Sequence, residues 1–139
     1  MSINYKVYSY IQKSHIRLTQ HMRAVIDIII KSKTPIEAKT IYTQLKDNHK
    51  SIDLSTIHRI LEKLHSIQLV DAIYREKATS YELSSQFLPH HHHFTCSECD
   101  TIIDIDECLI DPLLSSISHI GKPISHSFEI QGICKSCQK

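Results

Sequence analysis

The chain has 139 residues, 41% of them apolar, with 16 Lys/Arg against 15 Asp/Glu for a formal net charge of +1. That is enough chain for one domain or two small ones, with no apolar run near the 18 residues of a membrane span and no signal-peptide core after Met1. The near-neutral sum hides an asymmetry: residues 1–85 carry 13 basic and 8 acidic side chains, residues 86–139 carry 3 and 7. A basic first part and an acidic, Cys/His-rich second part suggest a polyanion-binding module joined to a metal-binding one. A cytoplasmic protein is expected, in a compartment where Cys-x-x-Cys reads as metal or redox chemistry and not as disulfide.

In chain order, the first part reads as helical. Thr19 is placed to cap a helix with Met22, Val25, Ile26, Ile29 and Ile30 along one face. Thr34-Pro35-Ile36-Glu37 predicts a second helix start, with Thr34 as N-cap, Pro35 at the first helical position and Glu37 closing a capping box. Ile36, Ile41 and Leu45 supply its apolar side. Asp53 opens a third helix, with Leu54, Ile57, Leu61, Leu64 and Ile67 inward and Ser55, Thr56, His58, Arg59, Glu62 and Lys63 outward. The period then changes. Residues 69–74 and 79–83 read as two strands joined by a charged turn, so three helices lead into a two-stranded ribbon, the order of a winged helix-turn-helix.

Ser84 to Pro89 reads as a polar linker. Beyond it, Ile102, Ile103 and Ile105 suit a short strand. Asp111-Pro112 begins a helix with Asp111 as cap, containing Leu113, Leu114, Ile117 and Ile120 and ended by Gly121. Ser125 to Ile133 forms another strand. The fold class is therefore α+β: an N-terminal winged helix-turn-helix over 1–84, a hinge over 85–92 and a small α/β domain over 93–139.

The densest chemical signal lies in the second part. Cys96-x-x-Cys99 and Cys134-x-x-Cys137 are separated by 34 residues. A two-residue gap turns both thiolates of a pair toward one ion, and two such pairs make a closed tetrahedral S₄ set, for which zinc is the default occupant. A redox pair or unpaired thiols are the competing readings. An iron–sulfur cluster lacks any further supporting pattern. Such a zinc would also staple a unit of about 50 residues, too small to build a generous core alone. Four histidines, His90 to His93, precede the first pair and suggest a second, different site. Cys108 stands outside both pairs and reads as a small core residue.

Arg17-x-Thr19-x-x-x-Arg23, Leu54-Ser55-Thr56-Ile57-His58-Arg59, Tyr81-Glu82-Leu83, His90-His91-His92-His93-Phe94-Thr95-Cys96-x-x-Cys99, His126 and Gly132-Ile133-Cys134-x-x-Cys137 together resemble the Fur family of bacterial metal-dependent repressors. The resemblance runs in collinear order along nearly the whole chain. It implies a homodimer that binds double-stranded operator DNA, controls metal-uptake genes and has no membrane association. It also implies a structural zinc and a second, regulatory Zn²⁺ or Fe²⁺ at the hinge.

The resemblance further implies a regulatory ligand set of Asp71, Glu82, His91 and His93, an N₂O₂ tetrahedron suited to zinc, and a third set of His90, His92, Asp111 and His126. It implies DNA contacts from Ser55, Thr56, His58 and Arg59 on the recognition helix and phosphate contacts from Arg17 and Arg23, with Lys63 and Lys77 as further candidates. The chain departs from the pattern at three places. His58 stands where the family usually has Tyr. His92 stands at the usual Asp of the histidine run. Pro35, which cannot ligate, aligns with a histidine ligand of iron- and peroxide-responsive members. Zinc sensing is therefore expected, and ferric-uptake or peroxide sensing is the alternative, kept open by Asp104 as a fifth ligand. A zinc enzyme would need an open metal position and a general base, and a metal buffer would need no recognition helix. Neither enzyme nor buffer is the expected function.

Overall fold

The computed structural model describes residues 1–49, 51–108 and 110–139. They form two compact units, 1–89 and 90–139.

The first unit begins with a helix absent from the sequence reading, α1 (Ile3–Lys13), with Ser2 Oγ accepting from the Tyr5 amide. Only Val7 and Ile11 of α1 are fully buried, so its apolar stripe is thin, and its tyrosines complete the attachment. The Tyr8 hydroxyl donates to Asp27 Oδ1 at 2.5 Å and the Tyr10 hydroxyl to the Ile67 carbonyl at 2.6 Å. Tyr10 also meets Phe87 edge-on at 5.5 Å. A search for aliphatic periodicity passes over a helix held by phenol groups.

α2 (Gln20–Lys31) matches its pattern: Thr19 Oγ1 accepts from the Met22 amide at 3.1 Å, and Met22, Val25, Ile26 and Ile29 are buried. The next element departs from expectation. Residues 36–37 form a short strand, β1 (Ile36–Glu37), and α3 starts only at Ala38, running to Leu45. Glu37 occupies the N-cap position without a side-chain cap bond. Its carboxylate is held instead by the buried Arg75, whose Nη2 donates to Glu37 Oε1 at 2.8 Å and to Ser80 Oγ at 2.6 Å. The capping box loses because the ribbon takes the same backbone as its third strand: Ile36 pairs with Tyr81 and Glu37 with Ser80.

α4 (Leu54–Ser66) starts as read, with Asp53 Oδ1 accepting from the Thr56 amide at 2.7 Å. Ile57, Ile60, Leu61 and Leu64 are buried, leaving Ser55, His58, Arg59, Glu62 and Lys63 exposed. β2 (Val70–Tyr74) and β3 (Thr79–Leu83) form an antiparallel hairpin, giving sheet order β1-β3-β2. α3, α4 and this ribbon make a winged helix-turn-helix. The stretch 85–89, expected within the hinge, is packed onto this unit. Phe87 and Leu88 lie against its core, and Gln86 Nε2 donates to the Gln68 carbonyl at 2.9 Å.

In the second unit β4 (His92–Cys96) is central, antiparallel to β5 (Ile102–Ile105) and parallel to β6 (Glu129–Gly132). The sheet is shorter than expected, and so is the helix. α5 covers Asp111–Ser116, with Ile110 as N-cap and Asp111 as its first residue rather than its cap. No α5 residue is buried, so nothing within the unit rewards extending the helix to Gly121, and Ile120 is 76% exposed. No helix among the described residues is long and apolar enough to cross a membrane.

The first unit's core centres on α4. Leu61 is fully buried, so Leu61→Ala should destabilise the winged unit by about 2–5 kcal/mol, the cost of lost burial plus cavity. Urea denaturation should show a lower midpoint at unchanged slope.

Candidate metal centres and nucleic-acid interface

The four cysteines of the Cys-x-x-Cys pairs sit on two tight knuckles. In the first, the Cys96 amide donates to the Thr101 carbonyl and the Asp100 amide to the Cys96 carbonyl, both at 2.9 Å, with Asp100 at φ 63° closing the turn. In the second, the amides of Cys137 and Gln138 donate to the Cys134 carbonyl at 3.0 and 3.1 Å. The knuckles are stitched together by the Ser97 amide, which donates to the Gly132 carbonyl at 2.8 Å, and by the Cys134 amide, which donates to Cys96 Sγ at 3.3 Å. All four sulfurs lie within 4.8 Å of one another and none is in a disulfide. Cys99 Sγ and Cys134 Sγ are 3.8 Å apart; zinc bonded to sulfur at about 2.3 Å demands a tetrahedral edge of ~3.8 Å.

The thiols of this set are shifted in opposite directions by their hydrogen bonds. The amide hydrogen bond from Cys134 holds the Cys96 thiol down at about 6. Cys99 is lowered by its contact with the Thr101 hydroxyl. Cys137, which shares hydrogens with Cys134 and Cys99, is pushed up to about 12. Four neighbouring sulfurs cannot all ionise without an ion among them. The residues present fit a structural zinc.

The histidine run is extended, so its side chains alternate. His91 and His93 fall on one side, their rings 4.9 Å apart. On β5, Asp104 stands in register opposite His93, with Oδ1 3.6 Å from His93 Nε2. Asp104 is set beside the histidines within this unit, whereas the family resemblance implies Asp71 in the four-ligand set and Asp104 only as a fifth ligand. Asp71 lies on β2, exposed, in register opposite the half-buried Glu82 on β3. The register of β4 against β5 would have singled out Asp104, since the Cys96–Thr101 pairing at the knuckle determines every pair behind it.

His90 and His92 fall on the other side and meet His126. The Nε2 atoms of His90 and His92 are 3.0 Å apart, as are those of His126 and His90. His92 is buried and stacked on Phe128 at 3.7 Å. The fourth donor here is Cys108, with Sγ 3.2 Å from His126 Nε2. The ligand atoms of His90, His92, Cys108 and His126 all lie within 4.8 Å of one another, and Asp111 is not in that set. The sequence predicts Cys108 as a core residue and Asp111 as a ligand; instead the helix that Asp111 opens carries the carboxylate into its first turn, while the loop before it delivers the thiol.

On the winged unit, Arg59 projects from the exposed face of α4 and its Nη2 donates to Thr56 Oγ1 at 3.3 Å, which orients the guanidinium along the helix. Ser55 and His58 flank it, exposed. Arg17 is exposed in the α1–α2 connection. Arg23 has a second engagement, its guanidinium 4.8 Å above the Tyr8 ring.

Comparison with known proteins bears on this arrangement. The model of the Ferric uptake regulator family matches residues 13–131. The chain is 27% identical over 132 residues to the ferric uptake regulation protein of Bacillus subtilis (strain 168), covering 91% of this chain and 89% of that one. It is 25% identical over 132 residues to the corresponding Campylobacter upsaliensis protein, covering 91% and 83%. Among solved structures, the Helicobacter pylori ferric uptake regulator, described as having three functional metal-binding sites, superposes with a TM-score of 0.83 at 23% identity over 99% of this chain and 92% of that one. A zinc-bound manganese uptake regulator superposes with a TM-score of 0.71 at 19% identity, covering 92% and 98%. With the winged unit, the thiol knuckles and the histidine strand in one collinear chain, this protein belongs to the ferric uptake regulator family of metal-responsive transcriptional regulators.

Proposed function

We propose that the protein is a dimeric repressor whose operator binding is switched by a metal held at His91, His93 and Asp104, with Glu82 of the wing as the fourth ligand. The observation that carries this reading is the alternation of the histidine strand, which separates His91 and His93 from the neighbouring donors and pairs them with a carboxylate. Glu82 is favoured over Asp71 because it is the less exposed of the two facing carboxylates and matches the family's wing ligand. Because the family resemblance draws Glu82 from the wing, metal binding and operator binding would form one linked equilibrium.

Zinc is the proposed regulatory ion, because two imidazoles and two carboxylates make a closed tetrahedral N/O shell, and Pro35 stands where an additional imidazole would be needed. Ferrous iron is the second reading, supported by relatives named as ferric uptake regulation proteins. Affinity alone does not separate them, since zinc outcompetes iron(II) in almost any such site. Operator binding titrated with metal-buffered Zn²⁺, Fe²⁺ and Mn²⁺ does. Zinc should activate at the lowest free concentration, and Asp104→Ala should abolish that activation while the zinc of the cysteine set is retained. Activation by Fe²⁺ at free concentrations where Zn²⁺ is inert would install the iron reading.

Cys96, Cys99, Cys134 and Cys137 are proposed to hold a structural zinc. Cys96→Ser should reduce the zinc content of the purified protein by about one equivalent and lower its melting temperature, because the ion's binding energy is folding energy for a small unit. Unchanged metal content and melting in that variant would contradict the assignment.

Arg59 is proposed to read an operator base or phosphate from the major groove. One bidentate base contact is worth roughly 1–3 kcal/mol, so Arg59→Ala should weaken specific binding by about tenfold to a hundredfold at matched salt, with metal content unchanged. His58 beside it has neither the reach nor the ring hydroxyl of a tyrosine, so the preferred operator should differ from that of relatives with Tyr there.

The dimer is proposed to form through the second unit. Ile103, Phe94 and Ile130 make one row across β5, β4 and β6, with Ile103 46% and Ile130 45% exposed. Leu113, Ile120, Ile124 and Ile133 add to the exposed apolar surface of the same unit. A patch of this kind is covered in a stable protein, and a symmetric copy of itself covers it most economically. Ile103→Asp with Ile130→Asp should sediment as a monomer while keeping its zinc; a dimer of unchanged affinity would move the interface elsewhere.

A further inference from the structure

The donors on the far side of the histidine strand do not satisfy one another. His90 Nε2 lies 3.0 Å from both His92 Nε2 and His126 Nε2, and His126 Nε2 lies 3.2 Å from Cys108 Sγ as well. The Nε2 of a neutral imidazole offers either one proton or one lone pair. It can serve one of two such neighbours, so hydrogen bonding leaves at least one close nitrogen–nitrogen contact unmatched. Protonation is worse, because it sets imidazolium charges against each other, with His92 only 4% exposed. A cation at the meeting point removes the conflict by accepting every lone pair. The observed spacings suit one: Zn–N bonds of about 2.0–2.1 Å give a tetrahedral edge of roughly 3.3 Å, slightly longer with sulfur. The stack of His92 on Phe128 at 3.7 Å and the position of Cys108 ahead of α5 hold two of the four donors in place before any ion arrives.

We propose that the third donor set implied by the family resemblance, with His90, His92 and His126, takes the Cys108 thiolate as its fourth ligand in place of the Asp111 carboxylate, making an N₃S site for zinc or a comparably thiophilic ion in a closed four-coordinate shell. The consequence is a division of labour along one strand. A thiolate with three imidazoles selects borderline-soft ions and discriminates against Fe²⁺ and Mn²⁺, which do better among oxygens. The set of His91, His93 and Asp104, mixed N/O and harder, is left to the regulatory ion of the proposed function, on which this inference builds without depending on it. A closed shell leaves no position for water or substrate, so the N₃S ion is structural or modulatory and not hydrolytic.

Cobalt(II) reports the sulfur directly, since a Co–thiolate bond gives an intense near-ultraviolet charge-transfer band that N/O ligation does not. The full-length protein is purified with zinc in its cysteine set, its metal content is counted, and Co²⁺ is titrated in. Wild type should develop the band as cobalt binds. Cys108→Ser and His126→Ala should lose it while keeping one zinc per chain. Cys108→Asp, which keeps an anionic ligand, should bind cobalt without the band. His91→Ala with His93→Ala should keep the band. Cobalt binding without charge transfer in wild type, or an undiminished band in Cys108→Ser, overturns the proposal. The outcome is separable from that of the regulatory reading: if the latter fails, operator binding ignores metal while the band persists, and if the N₃S site fails, the band is absent while operator binding still responds.

Discussion

The second unit depends on the knuckle from Cys96 to Thr101. Its two backbone hydrogen bonds close the turn that presents a pair of thiols and also start the pairing of β4 with β5. Once Cys96 is placed opposite Thr101, His93 faces Asp104 and His92 faces Ile105. Ligand sets more than one turn away are therefore consequences of how a Cys-x-x-Cys loop closes. A zinc ion on the four sulfurs would thus do more than cross-link a small unit. It would hold the register from which the neighbouring donor sets are built, coupling the occupancy of one set to the geometry of the others.

The winged unit rests on a different arrangement. Its core is aliphatic and α1, α2 and α4 are capped by short polar side chains, but its borders are tied by part-buried polar groups. Arg75 bridges β1 and the hairpin through Glu37 and Ser80, and the tyrosines of α1 reach Asp27 and the end of α4. These ties keep the face carrying His58 and Arg59 free of structural work: Ile57, Ile60, Leu61 and Leu64 anchor α4 from behind. The outward side chains can then vary at little cost to stability.

Much of this was legible in the sequence where a local signal and a tertiary demand agree. Thr19 and Asp53 cap helices because nothing else competes for them, and the Cys-x-x-Cys spacing reports a knuckle geometry that is local by nature. The signals failed where another element claimed the same atoms. Thr34-Pro35-Ile36-Glu37 is a sound helix start in isolation, but the ribbon needed a third strand and Arg75 needed a carboxylate. α1 was missed because phenol hydroxyls, not an aliphatic stripe, attach it. In the sequence Asp104 stands only as a fifth ligand and Cys108 as a core residue for one reason: donors brought together by register or by a loop have no signature in linear spacing, whereas a carboxylate at a familiar interval does. Cys108 is the sharper case, since a cysteine outside a paired motif is usually a small apolar residue, and only the convergence of His126 on it says otherwise.

The alternation of the histidine strand also constrains how the gene can change. Odd-numbered His91 and His93 fall in one donor set and even-numbered His90 and His92 in the other, in a segment that ends in a knuckle cysteine. Inserting or deleting a single codon between His90 and Cys96 would turn every ligand upstream of the lesion to the opposite face, presenting each half-site with the wrong partners. Two codons would restore the faces but slide each imidazole past its carboxylate or thiol by roughly 7 Å, the length of two strand residues. Neither lesion leaves a partly working intermediate. The reading frame of this seven-residue segment can therefore explore new metals only by substitution, one side chain at a time.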